Sequence, residues 1–165
     1  MMRELTVGDH APNFDLTSTE GVVLMLRDEV PRTQVLLYFF DQVAEAAPTL
    51  EALARSAGEL AGSGIKIMAV SEASLDELTA AQQQQELPFP LLHDDRGFSK
   101  VYAGSGDTAT FVLVDRDQRV AWIERGRNDL AGSLGSLAGD HATVRQSTAN
   151  YPKSVINSLV DRWVN

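Results

Sequence analysis

Two short apolar runs, 35–40 (VLLYFF) and 65–70 (IKIMAV), flank a stretch whose apolar residues recur at helical spacing, and this strand–helix–strand order constrains the fold more than any other feature. An apolar run of four to eight residues bounded by turn residues is the pattern of a strand covered on both faces. Residues 35–40 are therefore expected as a central strand. Between the runs, Leu50, Leu53, Ala54, Ala57, Leu60 and Ala61 follow three- and four-residue steps, and Gly62 and Gly64 end the pattern. That spacing predicts an amphipathic helix over 48–60.

The rest of the chain adds to this frame. An extended opening segment, 8–16 (GDHAPNFDL), precedes a turn at Gly21 and the alternating Val22, Leu24 and Leu26, which suggests a first hairpin. Ser74 and Glu77 spell a capping box ahead of a helix running through four glutamines, whose run is expected to be a solvated face. Pro88 and Pro90 break that helix before Leu91 and Leu92. Phe98, Val101 and Tyr102 fit one side of a short helix. Residues 110–114 (TFVLV) and 120–123 (VAWI), joined by a turn at 115–118, read as an antiparallel hairpin. A final helix would carry Val155, Ile156, Leu159, Val160, Trp163 and Val164 on one face, with Pro152 in its first turn. Alternating strands and helices with a closing hairpin imply an α/β fold, a central mixed sheet flanked by helices.

At 165 residues the length suits one domain, expected to span 1–165. The longest apolar run falls far short of the roughly 20 residues that cross a bilayer. No charge-free leader opens the chain, so no membrane association and a cytoplasmic location are expected. A net charge of -9, with no Lys/Arg cluster, disfavours nucleic acid. The absence of cysteine excludes disulfides, thiolate nucleophiles and sulfur-ligated metals.

Several spellings, in order, resemble the peroxiredoxin family, the alkyl hydroperoxide reductase/thiol-specific antioxidant group. GDHAPNFDL is similar to that family's Gly-x-x-Ala-Pro-x-Phe-x-Leu opening, VLLYFFD to its central strand, LPFPLLHDDRGFSKVYA to its Pro-Phe-Pro-Leu-Leu-x-Asp segment, and TFVLVDRDQRVAWI to its Phe-Leu-Ile-Asp hairpin. The resemblance runs from about Gly8 to Gly126 and implies a thioredoxin-like fold of peroxiredoxin type.

The same resemblance implies a thiol peroxidase site built on Pro-x-x-x-Thr-x-x-Cys after the central strand, with an arginine three residues before the hairpin phenylalanine. Those positions fall here on Asp41, Glu45, Pro48 and Thr108, and none is retained. A peroxidatic cysteine must be a thiolate, stabilised by a helix's first turn and a nearby cation. Proline offers no reactive atom, and Asp41 and Glu45 would bring negative charge to a place that stabilised an anion. The expectation is a chain without thiol peroxidase activity, in which Pro48 and the acidic residues form an ordinary helix start.

Other candidates are weaker. His93, Asp94 and Asp95 are metal-ligand types, but adjacent loop residues diverge and no second histidine lies at helical spacing, so a solvated turn is expected and no metal. His10 and His141 are isolated, while Trp122 and Trp163 suit core or interface packing. Thr49 survives beside the lost position and could line a residual pocket, although a bond to its own helix is simpler. Ser71 and Glu72 sit at a strand's C-terminal end, where α/β folds often bind ligands. No phosphate loop, dinucleotide fingerprint or other cofactor motif is present, so no cofactor is expected.

Function is thus expected to be a non-catalytic binding or assembly module, as a homodimer or with an active relative. Two alternatives remain. One is an antioxidant oxidoreductase in name by resemblance; the other is an enzyme using non-thiol chemistry of Asp41 and Glu45 in the remodelled cleft.

Overall fold

A computed structural model describes residues 5–62, 64–103 and 109–125. The C-terminal helix expected around Val155–Val164, with Thr108 and His141, lies outside them. The described elements are β1 (Asp15–Ser18), β2 (Val23–Met25), α1 (Leu26–Glu29), β3 (Gln34–Phe40), α2 (Val43–Gly62), β4 (Ile65–Ser71), α3 (Leu75–Gln85), β5 (Leu91–His93), α4 (Phe98–Ala103), β6 (Thr110–Val114) and β7 (Val120–Arg125).

All seven strands join one sheet in the order β2-β1-β5-β4-β3-β6-β7. The pairs β3/β4 and β4/β5 are parallel and the remaining pairs antiparallel. The sheet is mixed, as its alternation of strands and helices implies. Every residue of β3 is buried, as expected for a strand with neighbours on both edges and cover on both faces.

Side-chain alternation sorts the core into two layers. Leu36, Tyr38 and Phe40 join Phe111, Leu113 and Trp122 on the face covered by α2 and α3, whose Ala46, Leu50, Leu53 and Leu78 pack there. Val35, Leu37 and Phe39 face the other way, toward Phe14, Leu26 of α1 and Tyr102 of α4. An aromatic stack crosses the first face, with ring centroids 5.4 Å apart for Phe40 and Tyr38, 4.7 Å for Tyr38 and Phe111, and 6.4 Å for Phe111 and Trp122.

The opening segment is tied to the β6–β7 turn. The Ala11 N–H donates to the Gln118 carbonyl at 2.7 Å, and Gln118 Nε2 returns a bond to the Ala11 carbonyl at 2.8 Å. Gln118 holds a positive φ of 61°, which suits the tight turn but is uncommon outside glycine.

Several expectations need correction. Helix α2 begins at Val43, so Pro48 lies inside it rather than in its first turn. Proline there lacks the N–H that would bond the Ala44 carbonyl. Ala44 and Pro48 are both exposed, which is where a helix best tolerates the loss. Leu26 opens the short helix α1 instead of closing the β2 strand, and the Arg27 N–H is bonded by the Asn13 carboxamide at 2.9 Å. Leu91–His93 forms a strand where only a connection was expected. The glutamine run is not wholly solvated: Gln82 Nε2 donates to the Phe89 carbonyl and Gln85 Nε2 to the Ala47 carbonyl, each at 2.9 Å. Ser74 caps α3 as its spelling predicts, its Oγ accepting from the Glu77 N–H at 3.1 Å.

Candidate functional site

Parallel pairing brings the C-terminal ends of β3, β4 and β5 side by side, with Phe40 opposite Ser71 and Ser71 opposite His93. The polar groups there bond one another. Ser71 Oγ donates to the Asp41 carbonyl at 3.3 Å and accepts from the Ala73 N–H at 3.0 Å. The Asp94 N–H donates to the Ser71 carbonyl at 2.8 Å, and His93 Nδ1 lies 2.8 Å from the Ala73 carbonyl. Ser71 therefore staples the loops that leave these strands, and Glu72 beside it is exposed.

At the start of α2, Asp41, Glu45 and Pro48 are all exposed. Two carboxylates divide acid and base roles only when their environments differ, and both of these lie in solvent. Thr49, by contrast, is 4% exposed and points inward. Its hydroxyl shares a hydrogen bond with the buried Tyr38 phenol, which burial pushes above its ordinary range despite that bond. Thr49 is thus engaged in the core, not presented to a pocket beside Glu45. Thr108 lies outside the described residues. Its neighbour Thr110 is fully buried with an unpartnered Oγ1. Thr110 pairs with Phe39, so it falls on the sheet face opposite α2 and cannot join Thr49.

The acidic turn after β5 also differs from the solvated loop expected. Asp94 is 3% exposed, and its Oδ1 accepts from the N–H groups of Arg96, Gly97 and Phe98 at 2.9 to 3.1 Å, while Oδ2 accepts from Ser99 at 2.7 Å. Burial works against the charged carboxylate, but these bonds prevail and hold its pKa below the usual value. This is a cap for the start of α4, a role that an Asp followed by a glycine and an apolar helix could have signalled. Among the described residues no cluster of three or more His, Asp or Glu is placed to hold a metal ion, and no helix is long and apolar enough to cross a membrane.

The sheet order, the cover of helices on both faces and the helix that follows β3 define a thioredoxin-like fold of peroxiredoxin type. Residues 7–123 match the AhpC/TSA family, and the chain belongs to it. It is 33% identical over 92 residues to a Coxiella burnetii protein named "Putative peroxiredoxin bcp", a match covering 54% of this chain and 60% of that protein. Among solved structures, the peroxidoxin BcpB of Mycobacterium tuberculosis superposes with a TM-score of 0.69 at 18% identity, covering 87% of this chain and 98% of that one. A PrxQ mutant from Xylella fastidiosa gives a TM-score of 0.70 at 15% identity, over 86% of this chain and 98% of that one. At such identities the superpositions speak for the fold alone.

Proposed function

We propose that this chain is a peroxiredoxin-family protein that has given up thiol peroxide chemistry and serves as a binding or assembly module, either as a homodimer or with an active relative. The observation that carries the reading is a sequence without a single cysteine, with a proline, Pro48, where the resemblance puts the family's nucleophile. The surroundings favour it as well. Pro48 is exposed and lies inside α2, Glu45 places an acidic group in the helix's first turn, and Thr49 is engaged by Tyr38. A thiolate is both the reductant of the peroxide and the group that becomes a sulfenic acid, so no other residue type substitutes for it in that step.

The test pairs activity with association. Purified protein, supplied with a thiol reductant, is expected to consume hydrogen peroxide no faster than a heat-inactivated control. Light scattering after size exclusion is expected to show a dimer, or co-purification to show a complex with a cysteine-bearing relative. Peroxide turnover above the control would overturn the loss of chemistry. A monodisperse monomer that captures no relative would overturn the assembly role.

A further inference from the structure

The sheet ends in two edge strands, β2 and β7, and the two are treated differently. At β7 the Val120 N–H and carbonyl are taken by the Asp9 carbonyl and the Gly8 N–H, each at 2.8 Å. The strand also carries Glu124 and Arg125, and its register with β6 shifts at Leu113 and Val114. Charge, cover and irregularity are the devices that keep natural sheet edges from pairing. At β2 they are missing. Residues 21–25 (GVVLM) hold no charge and no proline, and the register with β1 runs unbroken from Asp15 opposite Met25 to Thr17 opposite Val23.

Hydrogen-bond alternation fixes which groups of β2 face outward. The Ser18 N–H donates to the Val22 carbonyl at 2.8 Å, so Leu16 and Leu24 form the next hydrogen-bonded pair, and the main chain of Val23 between them turns away from β1. Thr17, opposite Val23, turns inward and pairs with His93 of β5. The Val23 N–H and carbonyl therefore have no partner among the described residues. The side chains are bare as well. Val22 and Val23 are 52% and 55% exposed, more than any other large apolar residue among those described, while Leu24 packs against the core.

The occupant that fits this edge is β2 of a second copy. In an antiparallel pair centred on Val23, each Val23 N–H donates to the other Val23 carbonyl, and Val22 stands opposite the partner's Leu24. Both outward groups are used at once. Because 21–25 is uncharged, no like charges are set against each other there, although the chain carries a net charge of -9. Beyond the strand, Glu20 and Arg27 are exposed and form no ion pair among the described residues. The same register carries Glu20 to the partner's Leu26, next to the partner's Arg27, so opposite charges approach at both ends of the pair. Asp28, also exposed, follows Arg27 on α1 and tempers that attraction.

We propose that two copies of this chain join edge to edge through β2, paired antiparallel about Val23, to continue the sheet from one molecule into the other. The inference rests on the assembly role proposed above and gives that role a surface. Sedimentation velocity over a concentration series of the full chain is expected to show a monomer–dimer equilibrium. Val23→Lys and Val23→Glu each place like charges opposite one another at the two-fold axis and are expected to weaken the dimer at least about tenfold. Both change an exposed side chain, so their urea midpoints are expected to match the parent chain. An equimolar mixture of the two variants is expected to associate again, because Lys then faces Glu; loss of folding in a variant would not be rescued in this way. A parent dimer that neither variant weakens, or variants that stay apart when mixed, would overturn the β2 pairing and leave the assembly role standing. A parent chain still monomeric at about 1 mM, beyond which association is negligible, would overturn it too, and would overturn the assembly role only if no cysteine-bearing relative is captured.

Discussion

The Gln85 carboxamide donates to the Ala47 carbonyl at 2.9 Å, fastening the end of α3 to α2 one residue before Pro48. The bond spans the two helices that cover one face of the sheet, and it meets α2 where its own hydrogen-bond ladder is interrupted. Gln85→Ala is expected to cost about 0.5–1.5 kcal/mol of stability, the usual net value of such a bond. The urea unfolding midpoint measures it, and an unchanged midpoint would show the bond to be energetically idle.

Pro48→Ala should raise stability. The substitution restores an N–H for the Ala44 carbonyl and removes the ring's clash with the preceding turn, at an exposed position where no packing is lost. An increase of about 1–3 kcal/mol in the same unfolding experiment is expected.

Pro48→Cys, in contrast, should not create a peroxidase. A thiol there lies beyond the first turn of α2, where the macrodipole's influence has faded, and Glu45 stands one turn earlier. Its pKa is expected to stay near the ordinary value of about 8.5. The pH dependence of alkylation reports it; a value below about 7, or peroxide turnover, would contradict this account.

Tyr38 and Thr49 should be coupled. Tyr38→Phe and Thr49→Val each remove one side of a hydrogen bond beneath α2. A double-mutant cycle is expected to return a coupling of about 0.5–1.5 kcal/mol. Additive single costs would rule the coupling out.

Asp94 gives the fold a pH dependence. Its folded-state pKa is held below the unfolded value, so the stability it contributes is fully present above the unfolded pKa of about 3.9 and is lost as pH falls through the folded value. Asp94→Asn is expected to flatten the acid limb of a stability-against-pH curve. Asp94→Ala should cost about 0.5–2 kcal/mol near neutrality, as loss of a cap does. An acid limb unchanged in Asp94→Asn would place the pH dependence elsewhere.

The architecture was largely legible because its signals are periodic. Residues 35–40 and 65–70 are apolar enough to announce buried strands, and the Ser74 cap was spelled out in residues three apart. What escaped were features fixed by tertiary contact. No local pattern starts a helix at Val43 ahead of a proline; the packing of Val43 and Ala46 onto the core under α2 does. Leu91–His93 is too short to be read alone and becomes a strand by pairing with both β4 and β1. The burial of Asp94 follows from four amide groups gathered around it, and the inward turn of Thr49 from the position of Tyr38 across the core. The exposure of Glu45 and Asp41 agrees with their charge.

The placement of β1 between β2 and β5 has a consequence for how the chain assembles. The β1–β2 hairpin can close early, but its neighbour in the sheet is β5, where Thr17 and Ser18 pair with His93 and Leu92 and the Thr19 N–H donates to the Leu91 carbonyl. Contacts of such sequence separation delay folding, because the intervening loop must be closed before they contribute. On the ribosome, the β1–β2 hairpin must wait for β5 before it gains its neighbour. The segment before β1 waits longer still, since the Gly8 and Ala11 N–H groups donate to the Val120 and Gln118 carbonyls and the Asp9 carbonyl accepts from the Val120 N–H. The stretch leading into β1 thus settles only once the β6–β7 turn, far along the chain, is in place.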